Sequence, residues 1–496
     1  MSGAYAQIIR ALGSETALAL VALGVLTLDL VVGRKRELGA RRQLVGAAAL
    51  MGLALAAVPL VWQVGLTNVP LMGETLVVNP LTVIFKFVLI VLTALTVLIS
   101  VDHDIGTHVG EYFAMLLFGA IGMLLLVGSE ELLTIFVALE LTSISLYVLT
   151  AFHKNSLRSQ EAALKYFLFG AISSAFLLFG LSYIYGLTGA TNLRDIGTAL
   201  AGKGTDPLLA VGLLCVLVGL GFKVAMVPFH LWAPDAYEGA PTPVTAFIAT
   251  GSKVASFFVL VKVLMVGFAG AAGSAYWGAF SSGWAMVLGI TAAASMLLGN
   301  CAAIVQSNVK RLLAYSSIAH AGYILIGLVA ATATGATAVL FYVIVYAITN
   351  LGAFGVVAAL SARAGGDDLD HFNGMAKRAP LLSLLMLVFI LSLAGVPPLG
   401  GFFGKFYLFA AAVERDAQNF GLLWLVVLGI LMSAVSLYYY LILMKHIYVL
   451  PAKDETRIAT PGHVNMALAL CAVGVVVLGV FPEPILALLK TLVVRL

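Results

Sequence analysis

The chain has 496 residues, 62% of them hydrophobic and only 10% charged, with a formal net charge of +4. A soluble domain carries about 25% charged residues, so a chain of several soluble domains is excluded. The period-two strands of about ten residues that build a membrane β-barrel are absent, and the small positive excess, spread over loop Lys and Arg, does not mark a nucleic-acid binder.

What remains is an all-α polytopic membrane protein with about fourteen transmembrane helices, because apolar runs of roughly 18 residues or more recur from end to end. Spans are expected near 14–32, 43–62, 78–100, 111–128, 131–151, 162–187, 207–230, 243–267, 280–300, 311–331, 336–361, 380–412, 421–446 and 464–489. Arg10 precedes the first run, but basic residues and no small-residue cleavage site follow it, so the run is read as a retained span. The connection GRKRELGARR (33–42) holds five basic residues. It is read as a cytoplasmic topology determinant rather than as an anionic-lipid or nucleic-acid patch. Lys154, Arg158, Lys310, Arg311, Arg363, Lys377, Arg378, Lys453 and Arg457 then fall on the same side, and both termini are expected outside.

An ionisable group near mid-bilayer costs about 2.5–3.5 kcal/mol even on a lenient scale. Glu140 is the one carboxylate near the middle of a span. It reads as a partner for a buried lysine, either switched during transport or static, or as a neutral buried acid. Lys223, Lys253 and Lys405 each sit inside an apolar segment. A desolvated lysine gives up its proton readily, which suits a relay. Pro228 follows Lys223, and Pro397 and Pro398 in GVPPLGG (395–401) precede Lys405. These prolines predict breaks or kinks, and helices broken in membranes line cavities or face protein; an ordinary proline kink is the alternative. His230 lies seven residues beyond Lys223, two turns along one face if the helix is continuous. It reads either as a relay group or as an interfacial histidine. His320, in SSIAHAGY, is mid-span among small and hydroxyl residues, a setting suited to proton relay. Lys86, Lys165 and Lys262 lie toward span ends and read as snorkelling side chains. Glu111 and Glu161, at span starts, suit helix N-termini. Cys215, Cys301 and Cys471 are scattered and read as small buried side chains, with no metal or iron–sulfur spacing. GGFFGKF lacks the spacing of a phosphate loop, with Leu399 and Phe406 where Gly and Ser/Thr are needed.

Three blocks carry a family likeness. GLGFKVAMVPFHLWAPDAYEGAPTPVTAFIATGSKVA (219–255), SNVKRLLAYSSIAHAGY (307–323) and LAGVPPLGGFFGKFYLF (393–409) resemble signature regions of the antiporter-like membrane subunits of respiratory complex I, the proton-pumping NADH:quinone oxidoreductase. PDAYEGAPTPVTAF, with a lysine after GGFFG, is most similar to the subunit N branch rather than to L or M. The resemblance covers roughly residues 110–445 and implies two inverted five-helix repeats, each with a broken helix. The implied division is an N-terminal segment (1–110), repeats at 111–267 and 268–446, and a C-terminal loop and helix (447–496). It further implies a Glu140–Lys223 pair, with Lys253, Lys405 and Lys165 as relay lysines and His230 and His320 in supporting places; Lys86 and Lys262 match nothing transferable. No cofactor is expected on this chain, with NADH, FMN, iron–sulfur clusters and quinone on other subunits. The expected partners are other membrane subunits, including neighbouring antiporter-like ones, the lipid bilayer and protons, with no nucleic acid. The expected location is a bacterial inner membrane. Rival readings are a cation/proton antiporter subunit, a subunit of a related membrane-bound hydrogenase or other donor-oxidising complex, and a structural scaffold.

Overall fold

The computed structural model describes residues 11–66, 69–71, 74–202, 206–452, 454 and 456–494; Arg10 and Lys453 lie outside them. Among the described residues, thirteen helices are long and apolar enough to cross a membrane. In chain order the first are α1 (Gly13–Val31), α2 (Leu38–Gln63), α3 (Pro80–Val101), α4 (Val109–Gly128), α5 (Leu132–Thr150) and α6 (Leu157–Thr188). Next come α7 (Pro207–Val224), the short α8 (Trp232–Gly239) and α9 (Thr242–Gly267). Then follow α10 (Trp284–Ile304), α11 (Val309–Val329), α12 (Ala333–Ala364), α13 (Pro380–Ala394), α14 (Gly400–Arg415) and α15 (Leu423–Tyr448). The chain closes on α16 (Gly462–Val480) and α17 (Glu483–Val493). The last predicted span, 464–489, is therefore two helices, since Pro482 cannot continue the hydrogen-bond ladder of the first.

Two crossings are broken. α7 ends where Ala225 takes a left-handed conformation (φ 59°), which costs a residue with a Cβ about 1–2 kcal/mol. The indole N–H of Trp232 then donates to the carbonyl of Phe222 (2.9 Å), which also accepts the Ala225 N–H (3.1 Å). α13 ends at Gly395 (φ 86°), where a glycine carries no such penalty. Val227–Pro228 and Pro397–Pro398, both cis, lie in the two links. Lys223 and His230 thus stand on either side of a break and do not share one helix face.

α4–α9 and α10–α15 run through similar helix lengths. Each series has two helices of about twenty residues, then one of 32, a broken crossing and one of 26. The two 32-residue helices meet different surroundings. A third of the α6 window is buried, against 94% of the α12 window. α9 is buried over a full membrane-crossing length and contains two π-helical turns, Ile248–Ser252 and Val263–Gly267.

The predicted basic connections gather at one end. Arg41 pairs with Asp29 (2.5 Å), Arg363 with Asp102 (2.6 Å) and Arg311 with Asp235 (2.6 Å). Lys310, expected on a loop, is instead a buried side chain on the first turn of α11. It donates to the carbonyl of Ala240 (3.0 Å) and pairs with Asp367 (3.4 Å). Cys215 and Cys471 are buried, whereas Cys301, on α10, is exposed.

Candidate functional site

Lys253 follows directly on the first π turn of α9. Such turns displace the register of a helix and recur at functional sites. Its Nζ donates to the carbonyl of Ser317 (3.0 Å) and to the Ser317 hydroxyl. That hydroxyl also receives the Tyr346 O–H (2.8 Å) and lies 3.4 Å from the Tyr237 hydroxyl. One turn along α11, His320 is buried with both ring nitrogens engaged. Nδ1 meets the Tyr342 hydroxyl at 2.6 Å and Nε2 the Tyr440 hydroxyl at 3.1 Å. Tyr440 in turn meets Ser316 (2.5 Å). Gly404 lets α14 come against Tyr342, because a Cβ there would collide with the ring.

Lys405 lies beyond this group. Its ammonium sits 4.8 Å from the centre of the Tyr323 ring, a favourable cation–π placement. It donates to the carbonyls of Leu393 (3.0 Å) and Ala394 (3.3 Å) and to the Ser433 hydroxyl (2.8 Å). The α13 carbonyls freed by the break are thus capped by the lysine itself. His320 lies within electrostatic reach of both Lys253 and Lys405. Near the far end of α14 a cleft of about 500 Å³ opens, with Tyr407, Glu414, Glu483 and Lys490 among its walls.

The first half is sparser. The Lys223 ammonium donates to the Ser143 hydroxyl and otherwise faces aromatic rings, with Tyr147 at 5.6 Å and Tyr166 at 6.0 Å. Glu140, one turn before Ser143 on α5, receives a hydrogen bond from Ser174 on α6 instead of from Lys223. It is half-buried. The expected direct Glu140–Lys223 ion pair is absent among the described residues, although the carboxylate acts on Lys223 electrostatically. Ser143, one turn on from Glu140, takes the lysine's hydrogen bond in its place. His230, buried in the α7–α8 link, lies across the break from Lys223.

Lys165 is not drawn into this interior. Its side chain is 40% exposed and pairs with Glu161 (2.6 Å) and Asp235 (2.9 Å) at the basic end. There it lines a small surface pocket with Arg158 and Glu238. The snorkel reading fails for Lys86 and Lys262. Lys86 is buried against Glu15 (2.6 Å) and Lys262 against Glu130 (2.8 Å). Each lies close to a helix end in sequence, but other elements cover that end. The hydroxyl members of the network (Ser317, Tyr346, Tyr342, Tyr440) were not singled out from the sequence. The hydroxyl-rich run YSSIAHAGY was their only local signal.

Residues 129–434 match the family model described as NADH:quinone oxidoreductase/Mrp antiporter, TM. The chain is similar to a protein of Acidobacterium capsulatum named NADH-quinone oxidoreductase subunit N 2, at 45% identity over 98% of this chain and 99% of the relative. It is similar in structure to a chain of respiratory complex I from Thermus thermophilus with bound aureothin. There the TM-score is 0.78 at 35% identity, over 96% of this chain and 98% of that one. A chain of the Mrp complex from Dietzia sp. DQ12-45-1b shares the fold, with a TM-score of 0.82 at 22% identity over 98% and 97% of the two chains.

Proposed function

Because the chain belongs to the NADH:quinone oxidoreductase/Mrp antiporter membrane family, and within it to the subunit N group, we propose that protons cross it along Lys223, Lys253, His320 and Lys405. It is a proton-translocating membrane subunit of an NADH:quinone oxidoreductase, a translocase whose redox cofactors lie on other subunits. Other membrane subunits of that complex are its partners.

The observation that carries the route is a row of buried groups in ring contact. Lys253 comes first, with Ser317 and Tyr346; then His320, its ring 5.3 Å from that of Tyr346 and bonded to Tyr342 and Tyr440; then Tyr323, 5.5 Å from His320 and under Lys405. Hydroxyls and a histidine both donate and accept, so each can receive a proton on one side and release one on the other. In this reading the basic end faces the cytoplasm of a bacterial inner membrane and both termini lie outside. Protons enter near Lys223 and Lys253 and leave past Lys405 toward the Glu414 cleft. Glu140 tunes Lys223 through the space around Ser143, and Lys165 collects protons at the entrance. The parallel helix lengths of 109–267 and 284–448 support two repeats of inverted orientation. Redox steps elsewhere in the complex drive the cycle.

Lys223→Ala in the assembled complex should cut NADH-driven acidification of sealed vesicles by roughly 10²-fold, the usual loss on removing a positioned proton-transfer group. Normal acidification by a fully assembled variant would refute the route.

A further inference from the structure

At the end opposite the basic connections lies a second buried charge cluster that the route above does not use. Lys262, just before the second π turn of α9, is fully buried. Its Nζ donates to the carbonyls of Ser129 (2.6 Å) and Val127 (3.4 Å) at the α4 terminus and pairs with Glu130 at 2.8 Å. Lys86, from α3, reaches the same place. Its Nζ lies 3.5 Å from where a Cβ on Gly128 would stand, and it pairs with Glu15 of α1 at 2.6 Å. The two ammonium groups are within electrostatic reach of each other. All four side chains are at least nine-tenths buried.

Lys262 repeats the device found at Lys405. In both, an ammonium holds the last carbonyls of another helix and a further polar group. Both α9 lysines also adjoin a π turn. Nine residues separate Lys253 from Lys262. At about 100° per residue this sends them to opposite faces of α9, Lys253 toward the second half and Lys262 toward α3 and α4. The Glu130 N–H donates to the carbonyl of Thr75, and the Glu130 carbonyl accepts from the Leu193 N–H (both 2.9 Å), so the residue before the short strand Leu76–Val78 and the start of the short helix Leu193–Leu200 lie against it. A purely mechanical fastening gains little from two buried ion pairs, since apolar side chains of similar volume are often as stable or more so.

We propose that Glu15, Lys86, Glu130 and Lys262 form a second proton-binding station, serving the first half of the molecule at the outer face. In the transfer the Lys262 N–H bond breaks as an O–H bond forms on Glu130, leaving a neutral amine beside a neutral acid. Glu130 then gives that proton to outer water, and the amine takes another from the interior. This rests on the proton-translocating reading.

The deciding variant is Lys262→Arg in the whole complex. A guanidinium keeps the charge and the donors but does not deprotonate in proteins. Assembly is followed by native gel and NADH oxidation with a soluble acceptor, and pumping by acidification of sealed vesicles. The expected result is an assembled complex with fewer protons moved per NADH and slower coupled quinone reduction. The charge-neutral double variant Lys262→Met/Glu130→Gln should show the same loss. Full proton yield in either assembled variant overturns the station and makes the cluster a fastening; failure of both to assemble overturns it likewise. A normal yield here with a defective Lys223→Ala removes this station alone, whereas a normal Lys223→Ala removes the reading it stands on.

Discussion

The two halves of the molecule place their lysines in opposite settings. In α4–α9, Lys223 has one hydroxyl partner and a wall of aromatic rings, and its carboxylate neighbour Glu140 is half-exposed on the poorly buried α5–α6 side. Toward α10–α15, Lys253 and His320 each hold hydrogen-bonded hydroxyls beside the nearly fully buried α11 and α12. The first arrangement responds to what happens beside it, since a charge with few partners is easily retuned. In the proposed route the second conducts, since its hydroxyls and histidine both donate and accept.

The sharpest way to break this contrast is to remove one hydroxyl from each half. Ser317→Ala takes a partner from Lys253 and Tyr346 at once. A hydrogen bond to a charged group is worth about 1.5–3 kcal/mol, so pumping should slow roughly tenfold or more. Ser143→Ala should cost less, and equal losses in an acidification assay would erase the distinction. Lys165→Met should matter less again. An exposed ion pair is worth about 0–1 kcal/mol, so a change of a few-fold at most is expected, most visible at low salt. The smallest effect belongs to His103, at the basic end. Burial pushes its pKa down to about 4, with the charges of Lys310 and His153 adding to this. It is therefore neutral from about pH 5 to 8, and its stabilising contribution fades only below its ordinary range, as the pH falls from about 6.5 toward 4. His103→Gln should leave the pH profile of pumping unchanged between pH 5 and 8, and a shifted profile would make it part of the entrance.

The membrane helices were legible because hydrophobic runs are local, and so were the breaks, because proline and glycine act where they stand. The three central lysines were legible because mid-span charge is costly wherever it points. Lys86, Lys262 and Lys310 were misread for the complementary reason. Near a helix end, sequence cannot say whether water or another element waits. Glu15, Glu130 and Asp367 lie far from their partners along the chain. The Glu140–Lys223 expectation named two interacting residues but missed Ser143, which is eighty residues from Lys223 along the chain and meets it only in the fold. Cys301 shows the same blindness on the other side, an apolar context hiding an outward-facing position.

The capped break at Lys405 has a mechanical consequence. An ammonium offers three hydrogens, and all three are spoken for by Leu393, Ala394 and Ser433. Once the nitrogen is neutral it offers only two and gains a lone pair, so either Ser433 reverses its hydrogen bond or a buried carbonyl loses its donor, at about 1–3 kcal/mol. In the second case discharging this one nitrogen slackens the elbow between α13 and α14, until water or a neighbouring donor fills the gap or the elbow bends.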